Sequence, residues 1–214
     1  MESVIKDQLL SYLYSKKLIS KQQHAFIKSH STVTNLLECT HDWAVSVHGG
    51  HAVDVIYIDF SRAFDSVVHT KLIYKLSNFG ISGDLLQWIE AFLTNRQQCV
   101  VVEHCFSTFI PVLSGVAQGS VIGPLLFILY VDDICSICVG SNIIHKLFAD
   151  DLKLYSNIYT TSDSVHFQAV LDRLQQWCTD WQLKINTSKC NIIHFGHKNN
   201  KYKYFLNGSP IGAP

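Results

Sequence analysis

The chain has 214 residues, 48% hydrophobic and 16% charged, so it can build a sizeable core and is too apolar for a disordered or low-complexity protein. Seventeen basic residues balance 17 acidic ones, so no bulk positive charge marks a nucleic-acid binder, and any basic surface is local. The longest uncharged apolar run, Val121–Val131, is about half the roughly 20 residues that span a bilayer, and the N-terminus lacks the apolar stretch of a signal peptide; an intracellular protein with no membrane partner is expected.

In chain order, apolar residues at Val4, Ile5, Leu9, Leu10, Leu13 and Ile19 predict an amphipathic helix over 1–19, and a second is expected over Thr32–Val47. Val53–Phe60, rich in β-branched and aromatic residues, predicts a buried strand ending at Asp59 and Phe60. Ser66 is placed to cap a helix carrying Val67, Leu72, Ile73, Leu76 and Phe79 and stopping at Gly80, with Asp65 also expected to act as a cap. Asp84–Thr94 predicts another helix, Gln98–Phe106 and Thr108–Leu113 a strand pair, and Gly123-Pro124 the start of an apolar helix with Pro where its missing N–H costs nothing. Ile143–Tyr155 predicts two strands around a tight turn at 149–151, and Val165–Trp181 a strong helix. A strand at Cys190–Phe195 and another at Tyr202–Leu206, before an Asn207-Gly208 turn, complete the pattern. This order predicts an α+β fold.

Seven cysteines, an odd number, are expected to be free thiols. Cys135-x2-Cys138 has no second pair, and Cys178, Cys190, His194 and His197 lack a strong zinc spacing.

Asp59 closes an apolar strand, and Asp150-Asp151 occupies a hairpin turn. If the two strands pair, the carboxylates meet at one sheet edge, where they repel unless a hard divalent cation, which favours oxygen ligands, is bound between them. On its own, Asp150-Asp151 reads better as a plain polar turn.

The neighbouring segments resemble the reverse transcriptases of non-LTR (LINE-type) retrotransposons, among them those like Jockey and CR1. VIYIDFSRAFDSV is similar to the first palm motif of that family, SGVAQGSVIGPLLFILYVDDI to the second, FADD at 148–151 to the third, and LQQWCTDWQLKINTSKC to the fourth. Four ordered motifs cover nearly the whole chain. Tyr130-Val131-Asp132-Asp133 matches the Y-x-D-D of retroviral polymerases more literally than FADD. It falls inside the helix that Pro124 opens, and its acids are expected to cap or solvate that helix end.

The resemblance implies a right-hand polymerase palm, an antiparallel sheet with helices on one face, plus partial fingers and no thumb. On that basis residues 1–52 are partial fingers, 53–200 the palm with a fingers-type insertion near 72–112, and 201–214 the start of a palm–thumb junction. Met1 falls after the fingers segment that carries a triphosphate-contacting arginine in the family, so a module truncated at both ends is expected. The implied activity is RNA-directed DNA polymerisation with an RNA template, a DNA primer and dNTPs, using two Mg²⁺ ions, with Mn²⁺ as a substitute. Asp59 and Asp150 are the implied metal ligands, with Asp151 a third ligand or a tuning acid and the Phe60 carbonyl a further donor. Phe64 lies under the sugar or is a core aromatic; Arg62 neutralises incoming phosphate or is a solvated arginine. Gln118-Gly119 lines the nascent base pair or is a plain turn, and Lys189 protonates pyrophosphate or lies free on the surface. Two rivals are a non-polymerising remnant that binds RNA or other subunits, and an RNase H-type nuclease, which requires an acid on a facing helix and no Gln-Gly motif.

Overall fold

A computed structural model describes residues 1–213. In chain order it contains α1 (Glu2–Ser15), α2 (Thr32–His48), β1 (Ala52–Ile58), a 3-10 turn (Ala63–Ser66), α3 (His69–Asn78) and α4 (Gly83–Leu93). Four short strands follow: β2 (Gln97–Gln98), β3 (Val101–Val102), β4 (Cys105–Phe106) and β5 (Ile110–Pro111). Then come α5 (Gly123–Val131), a 3-10 segment (Asp132–Cys138), β6 (Ile144–Phe148), β7 (Asp151–Ile158), α6 (Thr161–Trp181), β8 (Asn191–Phe195), β9 (Phe205–Leu206) and β10 (Ser209–Pro210). The architecture is α+β, with an antiparallel sheet and packed helices, as the resemblance implies. The chain divides into two units, one of Met1–Leu18 and Arg62–Tyr130, the other of Ile19–Ser61 and the residues from Val131 onward.

The second unit is built on a four-stranded sheet in the order β6-β7-β1-β8, antiparallel throughout. Strand alternation sends Val53 and Val55 to one face, where they pack with Tyr155 against Cys39 and Trp43 of α2. The same face carries a polar layer matched to α2. Asn35 Oδ1 accepts from Lys153 Nζ at 2.8 Å, Glu38 pairs with Lys146, and Asp42 Oδ2 accepts from Tyr155 OH at 2.6 Å. Lys146 and Lys153 stand opposite each other on β6 and β7, and both are buried, so each ammonium needs a partner, and α2 supplies one to each from positions three residues apart, Glu38 and Asn35. In α6, the Thr160 backbone N–H donates to Asp163 at 2.7 Å, which starts the helix before the expected Val165.

Asp54 points away from Val53 and Val55 and is fully buried. Its Oδ1 accepts from His194 Nδ1 at 2.6 Å and from Asn199 Nδ2 at 2.7 Å, and its Oδ2 accepts from Tyr204 OH at 2.6 Å. Three donors from the C-terminal third compensate a charge that β1 takes out of water. Burial, then the Asp54 charge, push the Tyr204 hydroxyl far above its ordinary pKa, so it stays a donor.

In the first unit, α3 and α4 pack together, and Tyr12 of α1 donates to the Phe79 carbonyl at 3.0 Å. α5 is apolar all round and buried along most of its length, which is what a central helix requires. No helix among the described residues is long and apolar enough to cross a membrane.

Several local expectations are corrected. α1 ends at Ser15, not near Ile19. Helix α3 starts at His69, and Ser66 instead closes the preceding 3-10 turn, its hydroxyl donating to the Arg62 carbonyl at 2.9 Å. Asp65 is no cap; its Oδ1 accepts from Gln118 Nε2 at 2.7 Å. Gln98–Phe106 is not one strand: β3 pairs with β4 inside a pair formed by β2 and β5. Asp132 and Asp133 lie just past the end of α5 and are not solvating it. Asp132 accepts from the Ser20 backbone N–H at 2.9 Å and Asp133 from Trp177 Nε1 at 3.0 Å.

Asp54→Ala removes the shared acceptor of three donors, leaving the buried Tyr204 hydroxyl and the part-buried His194 without it, and is expected to destabilise the fold by about 3 kcal/mol, roughly 10 °C in thermal midpoint for a chain of this size. Tyr204→Phe, which removes one of the three, is expected to cost less than half as much; thermal denaturation of both variants checks the order.

Candidate active site

The β1–β7 register matches Ile58 with Leu152, so the next residue of β1, Asp59, is set against Asp151, the first residue of β7. Directly opposed residues share a face, so the strand-end carboxylates point the same way. Asp150 occupies the tight turn between β6 and β7. Burial pushes its carboxyl above the ordinary carboxylate range; its own backbone N–H pulls down, and the charges of Asp151 and then Asp59 push up again. These three acids therefore share one electrostatic environment. Asp59 and Asp150 are half-buried, and Asp151 is exposed.

Asp59 is held from behind by the segment after α6. Its carbonyl accepts from the Asn186 N–H at 2.8 Å, and its N–H donates to Cys190 Sγ at 3.5 Å. Phe60 forms an isolated antiparallel bridge with Ile185 in which the bonds run through the Asp59 and Lys184 carbonyls, not through that of Phe60. Burial pushes the Cys190 thiol up, and that of Cys178 to about 12, so both are inert packing groups, not nucleophiles. Lys189 lies in the same turn with its side chain exposed.

The β6–β7 turn is held by residues 22–25. The His24 N–H donates to the Leu147 carbonyl and the Leu147 N–H to the Gln22 carbonyl, both at 2.9 Å. Neither these contacts nor those of Asn186 and Cys190 were expected from the sequence. Asn186 and Cys190 fall within the fourth motif-like stretch, whereas Gln22 and Gln23 lie in the 1–52 stretch expected to be partial fingers.

Arg62, Phe64, Gln118 and Gly119 belong to the first unit. Arg62 takes a left-handed backbone (φ 48°), with its side chain exposed. The Phe64 ring stacks on Phe127, centroids 4.1 Å apart and planes 14° apart, and stays partly exposed. The 62–67 turn is stitched to the 114–118 loop. The Val116 N–H donates to the Phe64 carbonyl at 3.0 Å, the Gly115 N–H to the Val67 carbonyl at 2.8 Å, and Gln118 to Asp65 as above. A Cβ on Gly115 would lie 2.8 Å from Asp65 Cα, so only glycine allows this approach. Gly119 (φ +82°) needs glycine for its backbone angle, and no protein atom lies within 4 Å of where its Cβ would be.

Among the described residues, no three His, Cys, Asp or Glu side chains form a cage that could hold a metal ion unaided. Grouped acids, one of them a carboxyl raised by burial and then by its neighbours' charges, are a donor set whose repulsion a divalent cation would relieve.

The profile of the family described as reverse transcriptase (RNA-dependent DNA polymerase) matches residues 1–205. The RNA-directed DNA polymerase from mobile element jockey of Drosophila melanogaster is 28% identical over 208 residues, 92% of this chain and 22% of that protein. The probable RNA-directed DNA polymerase from transposon BS of the same species is 27% identical over 194 residues, 88% of this chain and 21% of that protein. The chain thus spans about a fifth of the length of these relatives. Among solved structures, telomerase from Candida tropicalis, in complex with a telomeric RNA fragment, matches with a TM-score of 0.67 at 10% identity over 95% of this chain and 35% of that one. Telomerase from Candida albicans matches with a TM-score of 0.67 at 13% identity over 97% and 36%. At these identities the likeness extends to the fold. With its family profile covering nearly every residue, and a polymerase-like sheet carrying acids at one edge, the chain belongs to the reverse transcriptase (RNA-dependent DNA polymerase) family.

Proposed function

We propose that the chain catalyses addition of a deoxynucleotide to a primer 3′-OH on an RNA template. The observation that carries this reading is the β1–β7 register, which sets Asp59 against Asp151, beside an Asp150 carboxyl that feels both charges. Asp59 and Asp150 would hold two Mg²⁺ ions, with Asp151 and the Phe60 carbonyl as further donors. Bound there, the ions lower the pKa of the attacking hydroxyl and neutralise charge on the departing pyrophosphate. The protein's own part is positioning and charge balance, since phosphoryl transfer needs little covalent chemistry from side chains.

The remaining residues divide the substrate between them. Arg62, exposed at a left-handed turn, pairs with incoming phosphate. Phe64, one ring face stacked on Phe127 and the side chain still partly exposed, excludes a 2′-OH. Gln118 and Gly119 face the nascent base pair, and the open space over Gly119 suits a base or sugar as neighbour. Lys189, exposed in the turn that holds Asp59, donates a proton to leaving pyrophosphate. Template RNA, DNA primer and dNTP are the proposed partners, and Mn²⁺ is expected to substitute for Mg²⁺. Template binding is expected to be weak, because 17 basic against 17 acidic residues leave no general attraction to phosphate.

Because the chain spans a fifth of its relatives, single-nucleotide addition to a primer on RNA is the appropriate assay. Asp150→Asn is expected to abolish addition. In the metal-free chain the same change is expected to leave the thermal midpoint unchanged or raised. The raised carboxyl of Asp150 contributes stability below its unfolded pKa, and that contribution is lost as pH rises through the folded value, so Asn removes a penalty present at neutral pH. A stable Asp150→Asn protein with wild-type addition would overturn the assignment. Absence of addition by the unaltered chain with RNA binding intact would favour a binding module that does not polymerise. Phe64→Val is expected to narrow the preference for dNTP over rNTP by about tenfold or more, one lost contact being about 1.4 kcal/mol; unchanged sugar selectivity would assign Phe64 to the core alone.

A further inference from the structure

Gln23 is 1% exposed. Its Oε1 accepts two backbone N–H groups, from Ala25 at 2.9 Å and from Ala149 at 3.0 Å. Two N–H donors fix which end of the amide is oxygen. The other end, Nε2, is buried with no hydrogen-bond partner among the described residues. A buried, unpaired amide nitrogen is unfavourable, and the fold keeps it in order to place the oxygen. Gln23 also bridges to Leu147 as a parallel extension of β6, so its backbone is anchored on the strand that leads into the turn.

Ala149 is the residue before Asp150, and its backbone is left-handed (φ 55°). That region is uncommon for residues with a Cβ and persists where the surroundings impose it. Here the Ala149 N–H is tied to Gln23, while the strand before it is tied to residues 22–24. The direction in which Asp150 leaves the turn follows from this one backbone angle.

We propose that Gln23 is a positioning residue for the acidic turn: its side-chain oxygen holds Ala149 left-handed and thereby sets where the Asp150 carboxylate stands relative to Asp59. The proposal rests on the reading of Asp150 as a metal ligand. Gln23 touches neither metal nor substrate; it acts through Ala149.

The test uses the whole chain, with amide hydrogen exchange at Ala149 and Mn²⁺ titration as readouts. Gln23→Met keeps the length and volume of the side chain and removes the acceptor. It is expected to speed Ala149 exchange about tenfold and to weaken Mn²⁺ binding about tenfold, the scale on which groups supporting a ligand act. Gln23→Glu retains an oxygen that accepts both N–H groups. It is expected to keep Ala149 exchange slow and Mn²⁺ binding no weaker than in the unaltered chain, and it decides the question if Gln23→Met fails to fold. Unchanged Ala149 exchange in Gln23→Met, fast exchange in Gln23→Glu, or fast exchange with unchanged Mn²⁺ affinity would each overturn the proposal. An unaltered chain that binds no Mn²⁺, or Asp150→Asn that binds it equally well, would instead overturn the metal-site reading, leaving the exchange data to decide the role of Gln23 in the turn.

Discussion

In an antiparallel pair the side chains on both strands alternate together, so matching Ile58 with Leu152 assigns a face to every residue of β1 and β7 at once. A slip of one residue would turn Val53 and Val55 away from Trp43 and Cys39, and would turn Asp59 away from Asp151. The core and the acidic edge are therefore specified by the same hydrogen-bond ladder. Packing of α2 against the sheet defends the register energetically, and the acids at its end inherit a position they do little to stabilise. The burial of Asp150, and the charges of Asp151 and Asp59 beside it, are tolerated because the apolar face outweighs them.

The other face of β1 adds a second constraint. Asp54 is satisfied only when β8 supplies His194 and the C-terminal segment supplies Asn199 and Tyr204. An apolar residue there would bury as well but would accept any packing partner. A carboxylate with three specific donors rejects misaligned ones, since each missed bond leaves a charge unpaired in the interior. The acidic edge itself is held by backbone contacts from sequence-distant segments: 186–190 at Asp59 and 22–25 at the turn before Asp150.

What the sequence made readable was what depends on local periodicity. The alternation in β1, the three- and four-residue spacing in α4 and α6, and the turn between β6 and β7 were all visible, with boundary errors of a few residues. The acids stood out because charges at the end of an apolar strand and in a tight turn are locally anomalous. Long-range polar contacts left no such trace. Asp54 lay hidden inside an apolar run, its partners more than a hundred residues downstream. Asp65 and Ser66 looked like caps because capping is the nearest use for a short polar side chain, yet Asp65 bonds Gln118. Asp132 and Asp133 looked like a solvated helix end, and instead hold Ser20 and Trp177. Gln23 sits in a stretch without periodicity, so nothing local distinguished it from a surface glutamine.

The placement of β1 also bears on how the chain is made. Its neighbours β7 and β8 are encoded far downstream, after α3, α4, the short strands and α5. At ribosomal rates of about 5–20 residues per second, β1 waits roughly 5–20 s between its own emergence and that of β7. During that interval the segment VDVIYI is a short apolar stretch of high β-propensity with both edges open, the composition that favours pairing between nascent chains. Asp54 puts a charge at the second position of that stretch, and stacking copies of it in register would align like charges without the donors that neutralise them in the finished fold. The same carboxylate that ties down the far face of the completed sheet thus guards the strand on the ribosome, before any partner has been synthesised.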